Sequence, residues 1–301
     1  MGFLESEIRE NFDISVKRKR IWQKQLELLN EIEKICNKHG LKYYASNGTL
    51  LGSVKYSGFI PWDDDLDITM PRPDYEEFKK YALKELVFPF YFQDMYTNDR
   101  YFRPYGRIRN SQTTAVAALD IDHDTVSGIF VDIFPLDGVS TDKVKFKRQI
   151  KTLNFRYKLL YKYIYRSSSN KVISLLATAA IKLYCLFFSY NRYLDRLVEI
   201  ASLTNYSDAS DVYYYSHGNA VIVPKNIFEN CKTVPFEHVN IRIPSGYDTL
   251  LTRLYGNYMT ELPPEEERGT HHTIFFDPDN PYSKYYKIVS KQELISQMND
   301  Y

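Results

Sequence analysis

Eight consecutive residues constrain this chain most: Asp63-Asp64-Asp65-Leu66-Asp67-Ile68-Thr69-Met70. Side chains in a strand point to opposite faces with period two. A strand running from Trp62 would put Leu66, Ile68 and Met70 on one face and Asp63, Asp65 and Asp67 on the other. Three carboxylates on one face are unfavourable, because like charges repel and strands are depleted in Asp. A divalent cation would offset that repulsion. Hard oxygen ligands suit Mg2+ or Mn2+, which bind through a few carboxylates together with substrate phosphates. The competing reading is a solvated acidic loop following Pro61-Trp62.

A second aspartate is as unusual. Gly128-Ile129-Phe130-Val131-Asp132-Ile133-Phe134-Pro135 reads as a buried strand with Asp132 inside it. A buried carboxylate without a partner is costly. Either a metal shared with Asp65 and Asp67 or an arginine such as Arg107 or Arg109 would satisfy it. Gly48-Thr49 precedes a short apolar helical turn, Leu50 to Val54. Glycine admits close backbone approach, and a helix N-terminus offers unpaired N–H groups to an anion. A Gly-Thr pair ahead of an Asp-apolar-Asp strand, with a third Asp on a later strand, resembles the nucleotidyltransferase superfamily.

The resemblance narrows with longer blocks. NGTLLGSVKYSGFIPWDDDLDITMPRPDYEEF resembles the signature of the LicD family, and GRIRNSQTT, GIFVDIFPLDG and YGNYMTELPPEEERGTHH resemble its other blocks in the same order. It extends more distantly to the fukutin-related proteins, and it is weakest across 141–205. It implies an α/β (α+β) fold with a nucleotidyltransferase-type mixed sheet flanked by helices. It also implies transfer of phosphocholine or another phospho-alcohol from a CDP-activated donor to a sugar hydroxyl of a cell-surface glycan, teichoic acid or lipid-linked precursor. Asp65 and Asp67 match the family's metal pair, and Asp132 matches the Asp of its FxDIFPxD block. The catalytic set expected on this basis is Asp65, Asp67, Asp132 and Asp63, with Asp132 or Asp63 taking the acceptor proton. Gly48, Thr49, Gly52, Lys55 and Arg72 from the first block are counted as substrate contacts, Lys55 standing where a basic residue is usual. Arg107 and Arg109 alternate onto one strand face, where they would either grip phosphates bidentately or pair within the protein. His271-His272 lack further ligands nearby for zinc and read as a substrate contact or a surface turn. Two alternatives stay open: a nucleotidyltransferase moving NMP onto an acceptor, and a non-catalytic polyanion- or membrane-binding protein on the same fold.

Around these motifs, residues 14–39 read as an amphipathic helix closed by Gly40, and Asp74 to Leu86 as a helix capped by Asp74. Residues 100–119 read as two strands, 143–203 as a long helical region interrupted at Ser167–Asn170, and Ser245–Tyr255 as a helix. The domain reading is 1–140 for the catalytic core, 141–205 for a helical insertion and 206–301 for the part that completes the core.

The net charge of +1 argues against a nucleic-acid coat protein, and no nucleic-acid partner is expected. That balance conceals an asymmetry. From Lys143 to Leu194 there is no Asp or Glu, and twelve residues are Lys or Arg. VISLLATAAIKLYCLFFSY, residues 172–190, follows the basic arm and is interrupted by Lys182. It is short for a span. It reads either as an in-plane anchor on a membrane or as a core helix packed on the catalytic domain. Three dispersed cysteines (Cys36, Cys185, Cys231) and an acidic N-terminus without an apolar run suggest a reducing compartment. The expected location is therefore the cytoplasm, peripheral on the inner membrane face. Met1-Gly2 with Ser6 also matches the short myristoylation pattern.

Overall fold

The computed structural model describes residues 2–98, 100–117, 127–164, 171–216, 219–260 and 273–285. His271-His272, the acidic 263–268 run and the Ser167–Asn170 break lie outside them.

After a small ribbon, β1 (Glu7–Arg9) and β2 (Phe12–Ile14), the chain enters α1 (Val16–His39). Ser15 caps it, its hydroxyl accepting from Arg18 N at 3.1 Å. Gly40 closes it at φ 68°, a left-handed conformation that glycine adopts without a Cβ penalty. The face bearing Ile21, Trp22, Leu28, Leu29 and Ile32 is buried in the main core.

Next come β3 (Tyr44–Ala45), α2 (Asn47–Lys55), β4 (Asp67–Pro71), α3 (Arg72–Glu85), β5 (Phe90–Gln93), β6 (Gly106–Asn110), β7 (Thr114–Ala117) and β8 (Ile129–Gly138). Every residue of β8 is buried. It is the axis of a seven-stranded mixed sheet. β4 lies parallel to it, with Asp67 opposite Asp132, and β6 lies antiparallel, with Arg107 opposite Asp132. α1 and α3 pack on this sheet and on each other. An element covered on both faces reads as a near-continuous apolar run, as Ile129–Phe134 does apart from its aspartate.

The helical segment forms α4 (Lys143–Ile164), α5 (Lys171–Phe187) and α6 (Tyr190–Ala201) around a second hydrophobic cluster that also takes in Met95 and Tyr101. The chain returns through β9 (Asp211–Ser216) and β10 (Asn219–Pro224), which extend the main sheet beyond β8. The hairpin of β11 (Cys231–Phe236) and β12 (Val239–Pro244), helix α7 (Tyr247–Tyr255) and β13 (Thr273–Asp277), paired with β7, complete the fold. The architecture is the expected mixed sheet flanked by helices.

Two local expectations need correction. β4 starts at Asp67, so Asp63 and Asp65 lie on the loop that feeds it and share no strand face with Asp67. The Asp63 and Asp64 carbonyls are bound by α1 side chains and are not available to a strand ladder. The helix α3 begins at Arg72, and the Asp74 carboxylate accepts the Lys42 N–H at 3.1 Å instead of capping it.

Candidate active site

The acidic loop is held from below by one stripe of α1. Arg18 Nη1 and Trp22 Nε1 donate to the Asp63 carbonyl at 3.0 and 3.1 Å, and Gln25 Nε2 donates to the Asp64 carbonyl at 2.7 Å. Residues 18, 22 and 25 share a helix face, so a single rigid helix fixes two successive peptides. The loop is thereby turned so that the carboxylates of Asp63, Asp64 and Asp65 lie within 4.8 Å of one another. Asp63 and Asp64 are buried, each 3% exposed. Among the described residues the mutually close trio is 63–64–65, with Asp67 acting on Asp65 beside it, and Asp64 is a member that sequence reasoning missed.

Asp67 opens β4 beside this cluster. Its N–H donates to Thr49 Oγ1 at 2.8 Å, and its Oδ2 accepts from Asn47 Nδ2 at 2.9 Å. The Asn47 Oδ1 in turn accepts from the Tyr214 hydroxyl at 2.7 Å. Asp67 Oδ1 is buried and has no hydrogen-bond partner among the described residues. An acceptor oxygen left this way inside a protein is costly. Burial, with Asp132 next, pushes the Asp67 carboxyl up to about 8. Asp65 is also held well above the ordinary carboxylate range, by enclosure first and then by Asp67, Asp63, Asp64 and Asp132. Four neighbouring carboxylates, of which Asp65 and Asp67 are raised and Asp67 has an unbonded oxygen, offer the all-oxygen donor set that suits a hard divalent cation. The residues present fit Mg2+ or Mn2+.

Asp132 is satisfied differently. Arg107 grips both of its oxygens, through Nε and through Nη2, the latter at 2.9 Å. The Arg107 guanidinium also lies 3.8 Å from the Phe130 ring centroid. Of the two partners the sequence left open for Asp132, the arginine is the one the structure supplies. Asp132 remains opposite Asp67 across the parallel β4–β8 register, so its charge still acts on Asp67.

The remaining expected contacts have protein partners of their own. A Cβ on Gly48 would come within 2.5 Å of Asp63 Oδ2, so glycine there makes room for the carboxylate. Thr49 uses its hydroxyl on the Asp67 N–H. Gly52 packs against the loop, where a Cβ would meet the Gly58 carbonyl at 2.4 Å. Lys55 Nζ reaches the Tyr258 carbonyl at 3.3 Å. Arg109 donates to Gln93 Oε1 and to the Gly128 carbonyl, both at 2.6 Å. Arg72 forms a bidentate pair with Asp137 at 2.7 and 2.6 Å, plus a bond to Glu76 at 3.1 Å. It lies five residues along β4 from Asp67, roughly 16 Å away at strand rise.

Sequence reasoning also missed Asn47, Tyr214 and Tyr255. Tyr255 ends α7 and is 39% exposed. Enclosure, Tyr214 and the carboxylates of Asp63, Asp67 and Asp65 together push its hydroxyl up, which places the start of the late YGNY block beside the acidic cluster. Asn47 had a visible signal in its Asn-Gly-Thr run. Tyr214 and Tyr255 had none, since their roles depend on contacts far along the chain.

Comparison with known proteins finds relatives of this chain. Residues 40–171 match the family described as LicD/FKTN/FKRP, nucleotidyltransferase domain. The lipopolysaccharide cholinephosphotransferase LicD of Haemophilus influenzae is 28% identical over 263 residues, covering 82% of this chain and 92% of that protein. An uncharacterised protein of Rickettsia typhi is 39% identical over 72 residues, 23% of each chain. The mannosyltransferase regulator 4 of Saccharomyces cerevisiae is 28% identical over 146 residues, covering 46% of this chain and 12% of that protein.

Proposed function

Because the chain carries a LicD-family nucleotidyltransferase domain, we propose that it transfers phosphocholine, or a related phospho-alcohol, to a hydroxyl of a cell-surface glycan or its lipid-linked precursor. The donor is CDP-activated, and CMP is the leaving group. The observation that carries this reading is the buried Asp67 oxygen left without a hydrogen bond inside a cluster of carboxylates. Asp65 and Asp67, with Asp63 and Asp64 beside them, would hold a divalent cation, which when bound would supply charge neutralisation at the donor phosphates.

The chain's own residues supply position and proton transfer. Asn47 orients the Asp67 carboxylate, and Tyr214 fixes the Asn47 amide so that its NH2 points to Asp67. The α1 stripe of Arg18, Trp22 and Gln25 holds the acidic loop in place as donor and acceptor enter, so charge is arranged before the reaction. The acceptor hydroxyl attacks the phosphorus that bears the alcohol. Asp132, which Arg107 holds in a fixed orientation, or Asp63 takes the hydroxyl proton.

The test is product analysis with Mg2+ and an acceptor extract. CDP-choline, CDP-ethanolamine, CDP-glycerol and CDP-ribitol are offered in turn, and CMP release is measured. CMP from one donor, with label appearing in the acceptor, supports the reading. Pyrophosphate release from CTP or UTP with no CMP from any CDP donor would instead make the chain a nucleotidyltransferase.

A further inference from the structure

The outward face of α5 lacks the polar residues of an ordinary surface helix. Along Lys171–Phe187 only Ser174, Ala177 and Ile181 are buried, at the three- and four-residue spacing of one seam. That seam joins the cluster formed by α4 and α6. The opposite side is apolar and open: Leu175, Leu176, Leu183, Leu186 and Phe187 are 59–76% exposed. At 3.6 residues per turn the open apolar arc covers about half the circumference of the helix. Lys182, also exposed, falls on the margin of that arc. A water-facing helix surface is normally polar, and a contiguous apolar patch of this size marks a site of interaction.

The charge beside the patch identifies the occupant. The adjoining helix α4 exposes Lys143, Lys145, Lys147, Arg148, Lys151 and Lys158, and no acid occurs from Lys143 to Leu194. That charge complements an anionic leaflet at about 1 kcal/mol per basic residue near the surface. No single described helix is long and apolar enough to cross a membrane, and α5 bends by 103° into α6. Seventeen residues span about 26 Å, short of a hydrocarbon core of about 30 Å. We propose that α5 is an in-plane anchor, inserting its exposed leucines and Phe187 into an anionic lipid leaflet while the α4 lysines meet the headgroups.

The experiment is flotation of the full chain with vesicles of phosphatidylcholine alone or mixed with phosphatidylglycerol. Two variants accompany it. One carries Leu176→Gln, Leu183→Gln and Leu186→Gln, all at exposed positions. The other carries Gln at the six α4 positions. Circular dichroism checks the fold of each. The intact chain should partition at least about tenfold more onto anionic vesicles than onto neutral ones, and each variant should lose about tenfold or more of that binding. In a Cys185→Ser, Cys231→Ser background, an environment-sensitive label on Leu186→Cys, at an exposed position of the arc, should shift to the blue on anionic vesicles. Three results would overturn the proposal: no flotation on either vesicle, equal flotation on both, or a stable dimer in sedimentation that the leucine variant dissociates. The last would make the face an interface between two copies.

Discussion

At Asp67 one carboxylate oxygen takes the Asn47 amide and the other takes nothing, within reach of the Asp132 and Asp63 charges. Asp67→Asn should lower turnover by about 1,000-fold or more while the circular dichroism spectrum stays unchanged. Full activity in that variant would remove Asp67 from the site. The same carboxyl sets a pH dependence. Unfolded aspartates ionise near pH 4, whereas Asp67 holds its proton to about 8 and Asp65 is also raised. Between those values the folded chain binds protons that the unfolded chain has released, so stability falls as pH rises. In EDTA the melting temperature, read against Asp67→Asn to cancel the other acids, should decline from about pH 4.5 to 8. Mg2+ should flatten the decline, and a flat profile in EDTA would contradict the burial of an ionised cluster. Arg107 and Asp132 form the opposite case, a buried pair with both oxygens met. Arg107→Leu should cost about 3–5 kcal/mol in urea unfolding, because it strands the charge, and Arg107→Leu with Asp132→Leu should recover most of that loss.

Between elements, β8 carries one acid at each end of its parallel register with β4, Asp132 opposite Asp67 and Asp137 paired with Arg72. The first end is the site, and the second ties α3 to the sheet through Arg72. Arg72→Met should therefore destabilise the protein by about 3 kcal/mol and leave the donor KM within about twofold. A large KM increase with unchanged stability would make Arg72 a substrate contact. The α2 helix sits so close to the 58–60 loop that no Cβ fits at Gly52. Gly52→Ala should shift that loop and lower both stability and activity. Apolar patterning made α1, α7 and β8 legible, because each helix buries one regular face and β8, buried on both, is a near-continuous apolar run. It misplaced the start of β4, because α1 side chains take the carbonyls of residues 63 and 64 and no local pattern carries that information.

At the scale of the whole molecule, the described hydrophobic residues form two clusters, one under the sheet and one among α4, α5 and α6. The second is smaller, and its outer helix faces outward with leucines. Native-state hydrogen exchange should show α5 opening at a lower free energy than β4 or β8, since few apolar contacts hold it. Equal protection of all three would mean that the helices unfold only with the sheet.

The sequence alone determined the acidic run and Asp132 on a second strand, which rest on neighbouring residues and their periodicity, and, through the resemblance, the class of fold and the frame of the chemistry. Tertiary structure decided which groups meet. It gave Asp132 to Arg107 and Arg72 to Asp137, and it brought Asn47, Tyr214 and Tyr255 to the acids. Pairings across 25, 65 and 167 residues of chain depend on register and on the burial that makes an unpartnered charge costly. Periodicity along the chain carries neither.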